Sequence, residues 1–333
     1  MKIRVLHVGL GPIGGAVARQ VAACKTFQIV GAVDIDPSLV GRDMGDVAEI
    51  GRRLRVKVSP DLRETIKASR PDIAVLCTSS SLRVVMPQLE ELLKQRVPVV
   101  STAEELAYPA RHNRRLAARI DELARKAKVA VLGTGVNPGF AMDALPIAMT
   151  AVCEHIERIE VRRVQDARKR RLPFQQKIGA GLTLEQFEQQ VAFGTVRHVG
   201  FTESIQMIAD ALGWKLTRIT DDVRPWIAEE EVVSELLAVD PGYVSGISQE
   251  AVGYIGDDPK IRLTLDAYLG APESFDSVLI DGSPRIFSKV HGGIHGDVAT
   301  ASLTVNAIPR VLAAAPGLRS VRDMPLPSFF GGR

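Results

Sequence analysis

The sequence predicts an α/β fold, with a doubly wound parallel sheet at the N-terminus and an α+β domain inserted before the last helix. Three observations predict it. A short apolar strand, a glycine-rich turn and a helical stretch open the chain, and this alternation of strand and helix continues to about residue 137. Beyond that point, strand-like stretches follow one another with fewer helices between them. A strongly apolar helical stretch near the C-terminus is typical of a helix buried between layers, and we expect it to pack against the first domain. We therefore expect domains at 1–137 plus 297–333 and at 138–296.

The opening strand and turn have the pattern of a dinucleotide-binding Rossmann unit. A strand predicted over residues 3–8 runs directly into a GxGxxG turn, and a helix is predicted from about Pro12 to Cys24. Glycines here permit the tight turn, let the backbone approach a pyrophosphate and let the helix pack closely on the strand. The alternative is a tight turn without a ligand. The candidate cofactor residues of the turn are Gly9, Gly11, Pro12, Ile13 and Gly14.

The second predicted strand ends in Asp34, about twenty residues beyond the turn, where a carboxylate can accept a hydrogen bond from the adenine ribose. The polar loop 36–51 follows and is expected to close over the adenosine end of the cofactor. Its Arg42 either holds a 2′-phosphate or is a solvated loop residue. Since Asp34 repels a phosphate, the sequence favours NAD and leaves NADP open.

Hydroxyl side chains follow the strand predicted over 72–77. In an open parallel sheet, ligands lie outside the carboxyl ends of the strands, so this loop is expected to border the cofactor. Its other role is to cap the helix predicted over 82–95, and the two roles are compatible. The loop residues that we assign to the cofactor site are Thr78, Ser79 and Ser80.

The remaining elements are predicted from apolar periodicity. In the first domain we expect strands at 55–58, 97–100 and 129–132 and helices at 61–69 and 109–126. In the second domain we expect helices at 142–153, 184–192 and 202–212 and strands at 156–164, 216–219, 243–255, 261–267 and 277–280. The last helix is expected at 298–315. The second domain should therefore contain a mostly antiparallel or mixed sheet.

Composition narrows the function classes. With 333 residues, 46% hydrophobic, the chain can bury a sizeable core, and a net charge of +3 is small for this length. The basic run 162–171 has no interleaved aromatic residues, so a polar sheet face or a substrate-anchoring loop is favoured over a nucleic-acid patch. No apolar run reaches membrane-spanning length, and a strand begins within two residues of the N-terminus. We expect a cytoplasmic protein that binds neither membrane nor nucleic acid.

Three stretches combine chemistry with a position at the ends of predicted strands or before the last helix. Glu104 and Glu105 are either the solvated start of a helix or contain a general acid/base. Asn137 either binds a carboxamide or substrate carbonyl, or is a turn residue. His291 and His295 lie in a predicted glycine-rich loop, one of them facing the substrate, with Asp297 as the helix N-cap. No third ligand supports a metal site here, and none of the three cysteines has metal-ligand spacing.

Long stretches of the sequence resemble a known family. The chain is similar to the dihydrodipicolinate-reductase-like oxidoreductases and, within that group, resembles 2,4-diaminopentanoate dehydrogenases and native amine dehydrogenases. The resemblance covers nearly the whole length. The stretches that carry it are GLGPIG, VDIDPSLVGRD, VVSTAEELAYP, GTGVNPGFAMD, VQDARKRRLPFQQKIGAG and GGIHGDVATASLTVNAIPRVLAAAPGL.

The sequence departs from other relatives at the strand end before Glu104. It lacks the paired-histidine and lysine signature of dihydrodipicolinate reductases. It also lacks the Asn-Lys of homoserine dehydrogenases and the Glu-Lys-Pro of sugar-type oxidoreductases, where this chain has Ala103 and Glu104. Absence of that lysine argues against alcohol oxidation, whereas a carboxylate suits amine chemistry.

The resemblance implies an NAD(P)-dependent amine dehydrogenase that interconverts an amine with a ketone or aldehyde plus ammonia. It implies Glu104 as the catalytic glutamate, with Glu105 as second choice, and a homodimer. Motif matches add pocket residues to Asn137, namely Phe140, Asp166, Arg170 and His291 or His295. An imine or dihydrodipicolinate-type reductase and a non-catalytic dinucleotide sensor remain as alternatives.

Overall fold

The computed structural model describes residues 2–109 and 113–331. Residues 110–112, which the helix predicted over 109–126 includes, lie outside this part, as do the extreme positions 1 and 332–333 of the predicted domain bounds. The chain divides into two compact units. The first unit contains Met1–Phe140 and His295–Arg333, and the second contains Ala141–Ile294.

The first unit is built on a seven-stranded sheet in which every pair of neighbours is parallel. The strands are β1 Ile3–Val8, β2 Phe27–Val33, β3 Val58–Ser59, β4 Ile73–Leu76, β5 Val99–Ser101, β6 Ala130–Gly133 and β15 Gly317–Arg319, in the spatial order β15-β6-β5-β4-β1-β2-β3. The helices are α1 Pro12–Ala23, α2 Met44–Val47, α3 Leu62–Ser69, α4 Leu82–Lys94, α5 Glu104–Ala107, α6 Arg114–Ala127 and α11 Gly296–Ala313. This confirms the predicted doubly wound Rossmann sheet.

Apolar side chains bury both faces of this sheet. On one face, alternate residues of β1 and β4 join the buried side of α4 and α6 in a single core that includes Leu6, Leu76, Leu89 and Ile120. Helices α1 and α11 pack together on the other face, where Val17, Val21, Ala301, Val305 and Ile308 are buried. Burial on both faces explains why these strands read as continuous apolar runs.

Four elements of the first unit differ from the prediction. The strand expected over 55–58 is only the two-residue β3 at Val58–Ser59. The loop 36–51 contains the short helix α2, which Asp43 caps by accepting a hydrogen bond from the Gly45 amide at 2.8 Å. A four-residue helix, α5, follows β5 directly. Strand β15 was not predicted, because it has only three residues and depends on pairing with the distant β6.

The second unit contains a six-stranded mixed sheet, which confirms the predicted α+β architecture. The strands are β7 His155–Asp166, β8 Arg218–Ile227, β11 Val244–Ile255, β12 Asp258–Tyr268, β13 Phe275–Ser283 and β14 Ile286–His291, in the order β14-β13-β7-β12-β11-β8. Only β7 and β12 pair in parallel among the neighbours of this sheet in the described residues. The helices are α7 Ala144–Met149, α8 Leu172–Lys177, α9 Leu184–Ala192 and α10 Phe201–Ala211, and a small hairpin is formed by β9 Val232–Val233 and β10 Ala238–Val239.

Several predicted elements of this unit change in extent. The helix expected over 142–153 is only α7, which starts where Asp143 accepts a hydrogen bond from the Ala144 amide and ends in a short 3-10 turn. The strand expected over 216–219 extends as β8 to Ile227, because it pairs along its length with β11. The predicted loop from Lys289 instead begins as strand β14, since residues 286–291 pair with β13.

Candidate active site

The carboxyl ends of β1, β2, β4, β5 and β6 meet at one edge of the seven-stranded sheet, because all of these strands are parallel. Five of the predicted site segments follow these strands. They begin at Gly9, Asp34, Thr78, Glu104 and Asn137. In a doubly wound sheet this edge is where ligands bind. The fold therefore gathers the candidate cofactor and catalytic residues of the first unit on a single side.

The geometry of the glycine-rich turn fits a pyrophosphate. A Cβ on Gly14 would lie 2.0 Å from the Gly9 carbonyl oxygen, and one on Gly9 would lie 2.6 Å from the Cys77 carbonyl oxygen, so both must be glycine. A Cβ on Gly11 would meet nothing within 4 Å. The open side of Gly11 thus lies at the start of α1, which has no acidic residue in its first turn and no side-chain cap. Such a helix start favours an anion.

Asp34 is fixed at the end of β2 by backbone amides. Its Oδ2 accepts a hydrogen bond from the Leu10 amide at 2.6 Å, and its Oδ1 accepts one from the Asp36 amide at 2.9 Å. The first of these bonds joins the acid to the glycine-rich turn itself. The remaining acceptor capacity of the carboxylate is available for ribose hydroxyls.

Ile35 is a residue of this edge that the sequence reasoning missed. Its side chain is 82% exposed, which is unusual for a large aliphatic residue directly after a buried strand. An apolar residue following the acid at a strand end was the available signal. Arg42 is also exposed, in the segment whose Gly41 amide donates to the carbonyl of Val58.

The loop after β4 has the hydroxyl groups expected near a cofactor. Thr78 Oγ1 donates to Gln88 Oε1 at 2.6 Å, and Ser79 Oγ accepts from the Ser81 amide at 3.2 Å. Ser80 and Ser79 are half-buried, and Ser81 is the N-cap of α4 without a side-chain hydrogen bond to the helix. The hydroxyls of Thr78 and Ser79 therefore hold the turn together by hydrogen bonds. The amide of Leu82, at the start of α4, donates its hydrogen bond to a residue outside this loop.

Glu105 accepts the hydrogen bond that the Leu82 amide donates at the start of α4. Its Oε2 accepts hydrogen bonds from the Leu82 amide at 2.7 Å and from Asn113 Nδ2 at 3.3 Å. Glu104 is the first residue of α5 and is half-buried. Consecutive residues of a helix point about 100° apart, so the two carboxylates have different surroundings.

Asn137 and Phe140 lie in the segment that follows β6. Asn137 is buried and forms a cis peptide bond with Pro138, while Phe140 is partly exposed. A Cβ on Gly139, which has a φ of +130°, would lie 2.5 Å from the Gly135 amide nitrogen, so this turn is tight. The Val136 amide donates to Thr300 Oγ1 at 3.2 Å, which ties the segment to α11.

Asp166 and Arg170 belong to the second unit, at the end of β7. Both oxygens of Asp166 accept from the Arg168 guanidinium, at distances of 2.8 to 3.0 Å. Desolvation pushes the pKa of Asp166 upward, but the hydrogen bonds and charge of Arg168 outweigh it and hold the pKa below its ordinary value. The guanidinium of the buried Arg170 lies 4.0 Å from the centre of the Phe174 ring.

The two histidines fall in different units. His291 ends β14 and is exposed. His295 is the N-cap of α11, and its Nδ1 lies 3.5 Å from the Val298 amide, which corrects the expectation that Asp297 is the N-cap. Asp297 instead lies in the first turn of the helix, where its negative charge is favoured.

Other chemistry is sparse in the described part of the chain. Residues 2–109 and 113–331 contain no group of three or more potential His, Cys, Asp or Glu ligands for a metal. Burial raises the pKa of the Cys77 thiol to about 12, which disfavours the thiolate form of this cysteine beside the turn. Among the described helices, none combines the length and apolar character needed to cross a membrane.

Comparison with known proteins identifies both parts of the chain. Residues 140–332 match the family described as the 2,4-diaminopentanoate dehydrogenase C-terminal domain. Residues 3–133 match the family described as dihydrodipicolinate reductase, N-terminus. The two matches follow one another along the sequence. The match over 140–332 contains the six-stranded sheet and also α11 and β15 of the first unit.

Three relatives align over nearly the full chain. A 2,4-diaminopentanoate dehydrogenase from Acetoanaerobium sticklandii is 34% identical, over 99% of this chain and 96% of that protein. An amine dehydrogenase from Streptomyces virginiae is 23% identical, over 97% and 96% respectively. The structure of an amine dehydrogenase from Mycobacterium smegmatis superposes with a TM-score of 0.88 and 26% identity, covering 99% of this chain and 98% of that one.

Proposed function

The chain belongs to the 2,4-diaminopentanoate dehydrogenase family, and we propose that it is an amine dehydrogenase that uses a nicotinamide dinucleotide. The reaction converts a protonated amine, oxidised cofactor and water into a carbonyl compound, ammonium, reduced cofactor and a proton, and it is reversible. The observation that carries the proposal is the 34% identity to a diaminopentanoate dehydrogenase over 99% of the chain. The glycine-rich turn, with its open Gly11 and fixed Asp34, supports the cofactor assignment.

In this proposal Glu104 performs the proton transfers. For reductive amination, it takes a proton from ammonium, so that neutral ammonia can attack the carbonyl carbon, and then protonates the hydroxyl that leaves the carbinolamine as water. Its negative charge also stabilises the iminium cation that results. When bound, the nicotinamide supplies the hydride that reduces this cation. The position of Glu104 as the first residue of α5, just beyond the carboxyl end of β5, supports it over Glu105 as the proton-transfer residue.

We propose NAD as the preferred cofactor. Asp34 is held at the end of β2 by two backbone amides, so its charge stays where the adenine ribose is expected and repels a 2′-phosphate. The exposed Ile35 next to it is suited to packing against the adenine ring.

Asp34→Asn should reduce kcat/KM with NAD by roughly tenfold and shift the ratio of kcat/KM for the two cofactors in favour of NADP. Arg42→Ala should lower only the rate with NADP. An unchanged cofactor ratio in both variants would contradict this assignment.

The substrate class depends on the second unit. A diamino acid requires a cation for its carboxylate, and Arg170 is the candidate, with Asn137, Phe140 and His291 or His295 as further pocket residues. Asp166 is a further candidate pocket residue, and both of its oxygens accept hydrogen bonds from Arg168. Assaying 2,4-diaminopentanoate against short aliphatic amines, each with both cofactors, tests the class. If only the aliphatic amines react, no carboxylate anchor is needed.

The decisive test compares the wild-type enzyme with Glu104→Gln. The variant should bind cofactor normally and lose about 100-fold to 10,000-fold in amine oxidation, measured as absorbance of the reduced nicotinamide. Wild-type protein that binds the cofactor but reacts with no amine would instead be a dinucleotide sensor. Reduction of a cyclic imine without added ammonia, together with no ketone reduction in its presence, would indicate an imine reductase.

We also propose a homodimer in the cytoplasm. The face of the six-stranded sheet that carries Phe287, Leu279 and Trp226 is supported as the contact surface, since Phe287 is 66% exposed and Trp226 is 37% exposed. Phe287→Arg should convert a dimer to a monomer in sedimentation velocity. A wild-type monomer at assay concentrations would contradict this proposal.

A further inference from the structure

Glu105 joins the short helix α5 to the start of α4 at two points. Its carboxylate accepts from the Leu82 amide at 2.7 Å, and its own amide donates to the Ser80 carbonyl at 3.2 Å. Because the N-cap Ser81 makes no side-chain hydrogen bond to the helix, Glu105 takes the place of a capping side chain. A negative charge at this helix start is favoured by the helix dipole.

Two further residues hold the other side of α5. The buried Ser101 donates from Oγ to the Leu76 carbonyl at 2.9 Å and accepts from the Ala103 amide at 3.1 Å, which fixes the turn before Glu104. A Cβ on Gly133 would lie 2.5 Å from the carbonyl carbon of Leu106. The backbone of α5 therefore packs directly against the backbone of β6 at Gly133. This contact and the hydrogen bonds of Ser101 fix the orientation of α5.

This arrangement connects two parts of the site through one residue. Any displacement of the loop 78–81 moves the Ser80 carbonyl and the Leu82 amide, and both are bonded to Glu105. Since Glu104 directly precedes Glu105 in the same helical turn, the displacement is passed to the Glu104 backbone. Glu105 itself cannot face the same way, because its side chain is about 100° further round the helix.

Building on the function proposed above, we propose that Glu105 is a positioning residue that couples the cofactor-side loop 78–81 to Glu104. Its task is to align the proton-transfer carboxylate with the bound cofactor. It differs from the task of Glu104, because it requires a hydrogen-bond acceptor at Glu105 and does not require a titrating group there.

The test compares Glu105→Ala with Glu105→Gln in the full-length enzyme. The alanine variant should raise the KM for the cofactor and lower kcat, with a combined loss of roughly 10-fold to 100-fold, because the Leu82 amide loses its charged acceptor. The glutamine variant keeps an acceptor oxygen and should remain within about threefold of the wild type. Both should retain the wild-type pH profile of kcat, whereas Glu104→Gln should lose the limb that reports the proton-transfer group.

Glu122→Ala serves as the matched control, since it removes an exposed carboxylate of α6 that forms an ion pair with the exposed Arg119. A cofactor KM and kcat in Glu105→Ala equal to those of this control would overturn the coupling. A Glu105→Gln enzyme as inactive as Glu104→Gln, with an altered pH profile, would make Glu105 the proton-transfer group. If the wild type oxidises no amine, the proposed function fails, and cofactor affinity measured by fluorescence still tests the coupling. Circular dichroism separates each result from misfolding.

Discussion

The two sheets bury polar groups in different ways. In the six-stranded sheet, the buried Arg163 lies against the buried Asp276, with Nε and Oδ1 separated by 2.6 Å, and both side chains also bind the backbone of Ile294. In the seven-stranded sheet, His7 of β1 is 1% exposed, and neither ring nitrogen has a hydrogen-bond partner among the described residues. The six-stranded sheet buries two opposite charges as an ion pair, Arg163 with Asp276. The seven-stranded sheet instead buries His7 in its neutral form. The consequences for stability differ in size and in pH dependence.

The largest expected effect comes from breaking the buried pair. Asp276→Ala leaves Arg163 as an uncompensated buried cation and frees the Ile294 amide, so the free energy of unfolding should fall by about 3–5 kcal/mol. Urea unfolding measures it. Asp281→Ala on the same strand is the control, because its partners Arg158 and Arg285 are both exposed, and it should cost less than about 1 kcal/mol. Equal losses of unfolding free energy in Asp276→Ala and Asp281→Ala would show that the buried ion pair contributes no more than the exposed one.

The second effect concerns pH. Burial lowers the pKa of His7 from 6.5 to about 4, so between these values the folded state binds fewer protons than the unfolded state. The stability linked to His7 is therefore complete above pH 6.5 and is lost as the pH falls, by about 3 kcal/mol in total at pH 4.

Comparing wild type with His7→Leu in chemical unfolding at pH 7.5 and 4.5 isolates this term. The wild type should lose more stability than the variant over this interval, whereas His155→Gln, which changes an exposed histidine, should follow the wild type. If wild type and His7→Leu lose the same unfolding free energy between pH 7.5 and 4.5, the folded state can bind a proton at His7 without a loss of stability.

The smallest stability effect is expected at the glycine-rich turn. Gly14→Ala places a Cβ 2.0 Å from the Gly9 carbonyl oxygen and should cost about 1–3 kcal/mol. Gly11→Ala meets nothing within 4 Å and should leave the melting temperature nearly unchanged while weakening cofactor binding. Calorimetry with NAD, run beside thermal unfolding, measures both. Comparable melting shifts in the two variants would show that the turn relaxes.

The same contrast explains which features could be read from the sequence. The turn from Gly9 to Gly14 and the acid Asp34 are local patterns, since strand, turn and helix follow within one unit, and the structure has these elements where the pattern predicts them. Pairing of Arg163 with Asp276 joins β7 to β13 and leaves no local signal. For the same reason Glu105 could not be separated from Glu104, because the amide that it binds belongs to Leu82, on another strand-helix connection.

A short strand that depends on pairing with a distant strand, and the exact start of a helix, also could not be predicted from the sequence. The sequence predicts a glycine-rich loop from Lys289, but residues 289–291 complete strand β14, because they pair with the distant strand β13. The sequence favours Asp297 as the N-cap of α11, because aspartate is the stronger intrinsic capping residue, whereas the helix begins two residues earlier than that prediction requires, with His295 as its N-cap.

On the ribosome, the seven-stranded sheet cannot be completed in the order in which its strands are made. Strand β6 ends at Gly133, but its outer neighbour β15 begins at Gly317, after every residue of the second unit has been added. At roughly 5–20 residues per second, the backbone edge of β6 waits on the order of ten seconds or more for its partner. During synthesis that edge is an unprotected template for pairing. The nascent chain thus depends on its last segment to close the sheet with which it begins.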